Sequence, residues 1–159
     1  MPEIDGLALR KACGRFATGV TVVTTTDAGG DHGLTANAFM SVSLDPPLIM
    51  VSLDNRAKML ERLRASGRYA VSILAAGMER TALHFAGRYD PDLTEILKAR
   101  GDLPVVPGAA VHLLADVVSE VPAGDHTLFI GHVRDIHHDE DVAPLLFWSG
   151  QFQRLMDHA

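Results

Sequence analysis

Between Gly33 and Asn55 the chain reads GLTANAFMSVSLDPPLIMVSLDN, in which Thr35, Asn37, Ser41, Ser43 and Ser52 recur among Val42, Leu44, Leu48, Ile49, Met50, Val51 and Leu53. Short hydroxyls and an amide can meet the donors and acceptors on the edge of a flat ligand, and apolar neighbours hold them still. This combination predicts one wall of a small-molecule site. A second candidate is Gly124-Asp125-His126, where Gly and Asp favour a turn that would present an imidazole at the mouth of the fold.

Other chemistries lack their patterns. No GxGxxG follows a strand and no GxxxxGK[ST] occurs, so neither common nucleotide loop is available. The eight histidines, His32, His84, His112, His126, His132, His137, His138 and His158, lack HxH or HExxH spacing. His137 and His138 are adjacent and point to opposite faces of any strand, and the acids that follow make them a solvated strand end. No metal site is expected. A serine hydrolase would need a GxSxG elbow, which is missing. Cys13 is the single cysteine and reads as a small packed side chain.

Several elements must position these groups. Leu7, Leu9, Ala12, Cys13 and Phe16 form a helical stripe that ends before Gly19. Val20 to Thr26 is a β-branched strand, and Asp27 to Asp31 supplies a hairpin turn. Pro46-Pro47 interrupts the chain, and Leu48 to Leu53 then reads as a central strand covered on both faces. Lys58 to Ala65 has Met59, Leu60 and Leu63 on one side and charges on the other, an amphipathic helix stopped by Gly67. Tyr69 to Leu74 is a strand, and Met78 to Phe85 a helix that leads into the polar loop Arg88 to Thr94. Strand patterns return at Ala110 to Val121, Thr127 to Ile136 and Pro144 to Trp148. Short strands with a few helices favour a small antiparallel barrel decorated by helices over a doubly wound sheet.

The chain has 159 residues, 47% of them hydrophobic and 21% charged, which suits one globular domain over residues 1–159. A net charge of -6 without a basic stripe disfavours nucleic acid as a partner. No apolar run approaches the length of a membrane span, and the first residues lack an apolar signal core, so the expected location is the cytoplasm.

Four blocks, in order, resemble the short-chain flavin reductase family. They are Phe16 to Thr24 (FATGVTVVT), Gly33 to Pro47, Gly124 to Gly131 (GDHTLFIG), and Pro144 to Trp148 with Gly150 and Phe152. The resemblance implies an FMN-binding split barrel of antiparallel Greek-key type, mainly β with added helices, and a homodimer with flavin near the subunit interface. It implies hydride transfer from NADH or NADPH to FMN or FAD, and delivery of reduced flavin to a monooxygenase component. The same resemblance extends to flavin-binding oxygenases and redox sensors.

Its site residues map onto the stretches already described. Gly33, Thr35, Ala36 and Asn37 would contact the flavin, with Ser41, Val42 and Ser43 beside the ring and ribityl chain. Ser52, Leu53 and Asp54 begin the next block, after which Asn55 to Lys58 open a helix whose N-terminus and cations suit a phosphate. Arg56-Ala57-Lys58 departs here from the more Ser/Thr-rich turn of family members, and Lys58 is the leading phosphate ligand. Phe85, Gly87 and Arg88 belong to a further segment that reaches the flavin, and His126 falls where nicotinamide docks. Ala38 and Met40 replace Ser and Thr, and Trp148 replaces a commoner Tyr.

Overall fold

The structure is a computed structural model that describes Met1 and residues 3–156. Helix α1 (Gly6–Cys13) is capped by Asp5, whose carboxylate accepts from the Leu7 N–H at 3.1 Å. Its apolar stripe does not enter the core: no α1 residue is buried, and Leu7 and Leu9 are exposed. Cys13, expected to pack, is exposed with them because it ends this unburied helix. Strands β1 (Thr18–Gly19), β2 (Thr21–Asp27), β3 (Gly30–Ala36), β4 (Phe39–Leu44) and β5 (Pro47–Asp54) follow. The expected hairpin is β2–β3, closed at Asp27 and Gly30. Pro46, after a cis Asp45-Pro46 bond, lies in the β4–β5 turn, and Pro47 opens β5 opposite Leu44.

Helix α2 (Met59–Ser66) buries Met59, Leu60 and Leu63, the face legible in the sequence. The remaining elements are β6 (Arg68–Ile73), α3 (Glu79–His84), β7 (Lys98–Arg100), β8 (Leu103–Val105), β9 (Val111–Ala123), β10 (His126–His138), β11 (Leu146–Trp148) and β12 (Gln151–Gln153). Sequence patterns missed β7, β8 and β12, because three residues are too few to display a period.

Seven strands make one antiparallel sheet in the order β3-β2-β6-β9-β10-β5-β4. All seven feed one cluster, through Val23, Leu34, Phe39, Val51, Val71, Ala115 and Phe129, and α2 closes it with Met59, Leu60 and Leu63. A sheet whose every strand lines one cluster has to curl around it. On the other face Val20, Val22, Leu74, Ala82 and Leu145 pack together, and a third cluster joins Leu103 and Val105 to Ala70 and Leu114. Among the described residues no helix is long and apolar enough to cross a membrane.

The expectation for β5 needs correction. It neighbours the edge strand β4, and only Ile49, Val51 and Leu53 are buried, while Leu48, Met50 and Ser52 on the opposite face are half-buried. Strands covered on both faces are β6, through Tyr69 to Ser72, and β2, whose threonines concealed the fact. Thr24 and Thr25 are fully buried because their hydroxyls donate to the carbonyls of Pro104 and Arg68.

Tyr69 is fully buried and its hydroxyl donates to the Phe129 carbonyl at 3.2 Å, while burial pushes the phenol above its ordinary pKa. Gly131 leaves room for it. A Cβ at Gly131 would lie 2.7 Å from the Tyr69 hydroxyl oxygen and 2.8 Å from the Ala115 Cβ. Gly131→Ala should therefore cost about 1–3 kcal/mol in urea denaturation, as overpacking does, and less in a Tyr69→Phe background. Equal losses in both backgrounds would refute the contact as the cause.

His112 is buried with its Nε2 2.7 Å from the Val106 carbonyl, and burial lowers its pKa from the ordinary 6.5. The unfolded chain takes up the proton first, so stability holds above 6.5 and falls as pH drops toward the lowered folded value. Urea midpoints from about pH 7 to about pH 5 should decline in the wild type and flatten in His112→Gln.

Candidate functional site

The register of β5 against β10 composes the site. Asp54 lies opposite His126, Leu53 opposite Thr127 and Ser52 opposite Leu128. Directly opposed residues share a face, so Ser52, Asp54 and His126 stand together outside the core, while Leu53 and Thr127 turn inward. Leu53 is 2% exposed. Its side chain is therefore core, and any contact of Leu53 with a ligand is left to its backbone.

Ser52, Asp54 and His126 open onto a cleft of about 1390 Å3 that also takes in Asn37, Thr18 and, from α1, Arg10 and Lys11. Helix α1 forms part of its wall although it buries nothing, because its C-terminal end is tied to β11 and the turn after it. The Trp148 indole N–H donates to the Arg15 carbonyl at 3.1 Å, the Arg15 guanidinium lies 4.3 Å from the indole centroid, and the Ser149 N–H donates to the Gly14 carbonyl at 2.9 Å. The Trp in place of Tyr thus serves twice, since its ring carries the cation and its N–H holds the chain.

Hydrogen-bond capacity separates ligand-facing groups from scaffold. The Asn37 amide and the Ser52 hydroxyl make no hydrogen bond to the described residues, and Asn37 is exposed. Thr18 Oγ1 is shielded from solvent and also lacks a partner among them. A buried hydroxyl without a partner is uncommon and suits a ligand that supplies one. The sequence did not single out Thr18, which lies inside the FATGVTVVT block, where nothing marks its hydroxyl as different from its neighbours. Thr35, by contrast, donates its hydroxyl to the Ala82 carbonyl at 2.6 Å and its N–H to the Phe85 carbonyl at 3.1 Å. The Ala36 carbonyl accepts from the Thr21 hydroxyl at 2.6 Å. Thr35 and Ala36 therefore fasten β3 to α3 and β2, and the donors expected of Thr35 are already engaged.

Charge is concentrated at the rim. Arg56 grips Asp54 with Nε at 3.0 Å and Nη2 at 2.7 Å, and its backbone N–H adds a third bond at 2.8 Å. These bonds hold the Asp54 carboxyl well below the usual carboxylate range and raise the Arg56 pKa. His126 Nδ1 lies 2.7 Å from the Asp125 carboxylate, and its side chain is 42% exposed.

A second, shallower groove of about 490 Å3 collects Gly33, Lys58, Phe85 and Gly87, together with His32 and His84. Burial, followed by the charges of Arg62 and Lys58, lowers the His32 pKa, while Asp27 opposes them. The expected residues are thus divided between two surfaces. Ser41, Val42 and Ser43 line neither; they sit on edge strand β4, where Val42 is the extra residue of a bulge. Arg88 is exposed and outside both. His158 lies outside the described residues.

Gly33 underlies the Phe85 ring, and a Cβ there would fall 2.7 Å from both Cδ1 and Cε1. Gly33→Ala should displace the ring from the groove and cost about 1–3 kcal/mol by overpacking, read in thermal unfolding. Phe85→Leu in the same chain should recover most of that loss.

Residues 13–156 match the family model described as flavin reductase like domain. An NADH-dependent flavin reductase of Rhodococcus sp is 51% identical over 158 residues, spanning 97% of this chain and 89% of that protein. The reductase component of 4-hydroxyphenylacetate 3-monooxygenase from Thermus thermophilus is 37% identical, over 94% of this chain and 96% of its own. Among solved structures, flavin reductase PheA2 in its native state superposes with a TM-score of 0.92 at 47% identity, covering 97% of this chain and 100% of that one. With cleft, register and sequence blocks in agreement, the chain belongs to the flavin reductase-like domain family.

Proposed function

We propose that the protein is an NADH-dependent flavin reductase that passes a hydride from NADH, or NADPH, to FMN or FAD and supplies the reduced flavin to a monooxygenase component. One observation carries this reading: in a chain of this family, three polar groups without internal partners, on Asn37, Ser52 and Thr18, share a cleft with the exposed imidazole of His126. The donor set fits a flavin, whose ring edge offers both donors and acceptors. When bound, the flavin supplies the redox chemistry, accepting the hydride that leaves the nicotinamide.

The chain's own work is then positional. The Asn37 amide can donate and accept at a ring edge, and the Ser52 and Thr18 hydroxyls can do either. His126 orients the nicotinamide at the rim. Lys58, at the start of α2, meets phosphate in the neighbouring groove. Holding two rings in contact geometry contributes to rate without any residue moving a proton in the hydride step.

The reading includes one domain over 1–159, a cytoplasmic location, a split barrel, and a homodimer. In support of the dimer, Met40, Val42 and Leu44 of β4 and Val118 and Val121 of β9 are exposed apolar residues on a sheet whose other face is core. Ser41, Val42 and Ser43 reach the flavin only when a second copy brings it to this edge. The partner monooxygenase rests on likeness to the Thermus thermophilus reductase component.

Purified protein mixed with NADH and FMN or FAD in air should oxidise NADH catalytically; retention of flavin without turnover would overturn the reductase reading in favour of an oxygenase or sensor. His126→Ala should raise the KM for NADH about threefold to tenfold, the equivalent of one or two neutral hydrogen bonds, with flavin affinity kept. Asn37→Ala should do the reverse, weakening flavin in a fluorescence titration. Light scattering on a sizing column reads the dimer.

A further inference from the structure

Asn55 follows the last residue of β5, and three hydrogen bonds join it to the turn that bears His126. Its N–H donates to the Asp125 carbonyl at 3.0 Å, its Nδ2 donates to the Gly124 carbonyl at 3.3 Å, and its Oδ1 accepts from the Thr127 hydroxyl at 2.7 Å. One residue thus holds positions on both sides of His126. Thr127 is 2% exposed, so the bond to Asn55 also provides the partner that a buried hydroxyl requires. Gly124 sits at φ 63, in the left-handed region, so the turn is tight and Asn55 braces it from outside. An ordinary hairpin turn closes on its own strands and needs no side chain from a third element.

We infer that Asn55 is a positioning residue for the hydride-transfer reaction: it fixes the Gly124-Asp125 turn so that His126, paired through Nδ1 with Asp125, keeps one orientation at the rim of the cleft. This rests on the reading of His126 as the nicotinamide-side residue. Both uses of the Asn amide matter, because a donor is needed toward Gly124 and an acceptor toward Thr127. No other side chain of this size supplies the two on separate atoms in neutral form near pH 7.

The test uses the full chain and two substitutions. Asn55→Ala should raise the KM for NADH about threefold to tenfold, the equivalent of one or two neutral hydrogen bonds, while flavin Kd by fluorescence stays within about twofold. Asn55→Asp keeps the shape but, when ionised, cannot donate to Gly124. Its carboxyl would stand among Asp54, Arg56, Asp125 and His126, and on protonation it regains a donor beside its acceptor. Its kcat/KM for NADH relative to wild type should therefore recover as pH falls, which a purely structural role would not produce. Imidazole signals of labelled histidine give a readout free of activity: the His126 resonance should shift or broaden in Asn55→Ala, with the other histidines unchanged. An unchanged KM for NADH in an active enzyme, a parallel loss of flavin affinity, or an unmoved His126 resonance each overturns the inference. A wild type that does not turn over NADH rejects the reductase reading alone, and the histidine spectrum still decides whether Asn55 positions the imidazole.

Discussion

The register of β5 against β10 is the constraint on which the site depends. A one-residue slip of β5 would turn Ser52 and Asp54 into the core and bring Leu53 out, away from the face on which His126 stands. Two features of β10 oppose such a slip. Only Gly131 can lie beneath the Tyr69 hydroxyl, since any other residue of the strand would drive a side chain into the phenol. The irregularities of β10 against β9, between Ile130 and Gly131 and between Val133 and Asp135, pin the strand from the other side. A contact deep in the core thereby sets which residues face the cleft.

The polar groups above that frame fall into two populations. Thr21, Thr24, Thr25 and Thr35 engage their hydroxyls inside the protein and act as fasteners between elements. Asn37 and Ser52 at the cleft, and the shielded hydroxyl of Thr18, have no such engagement among the described residues. Residue type does not distinguish the two groups; geometry does. At the rim Arg56 pairs with Asp54 and the His126 ring lies against the Asp125 carboxylate, while Arg10 and Lys11 on α1 make no ion pair with the described residues. The cleft therefore offers an anionic ligand unpaired cations on one wall and neutral donors on the other.

Much of this was legible in the sequence. The α2 face, the β2–β3 hairpin, the three late strands and the Gly124 turn follow from period and turn chemistry, which are local. The family blocks located Asn37, Ser52 and His126, and the structure gathers these into one cleft. What failed to show was non-local. Leu53 and Ser52 are neighbours in a uniformly apolar-looking run, and only pairing with β10 assigns them to opposite faces. β2 looked half-polar because threonine hydroxyls satisfied by distant carbonyls resemble surface residues. The separation of Lys58 and Gly33 from Asn37 arises from chain paths that no spacing records.

Helix α1 is attached to the body of the protein by polar links at its C-terminal end and by no buried side chain. Its detachment requires breaking a few surface bonds, whereas loosening the sheet requires exposing the whole cluster around Tyr69. The two events belong to different cooperative units. The wall that α1 lends to the cleft is thus held by the Arg15–Trp148 contact and its neighbouring hydrogen bonds, apart from the buried cluster that holds the sheet.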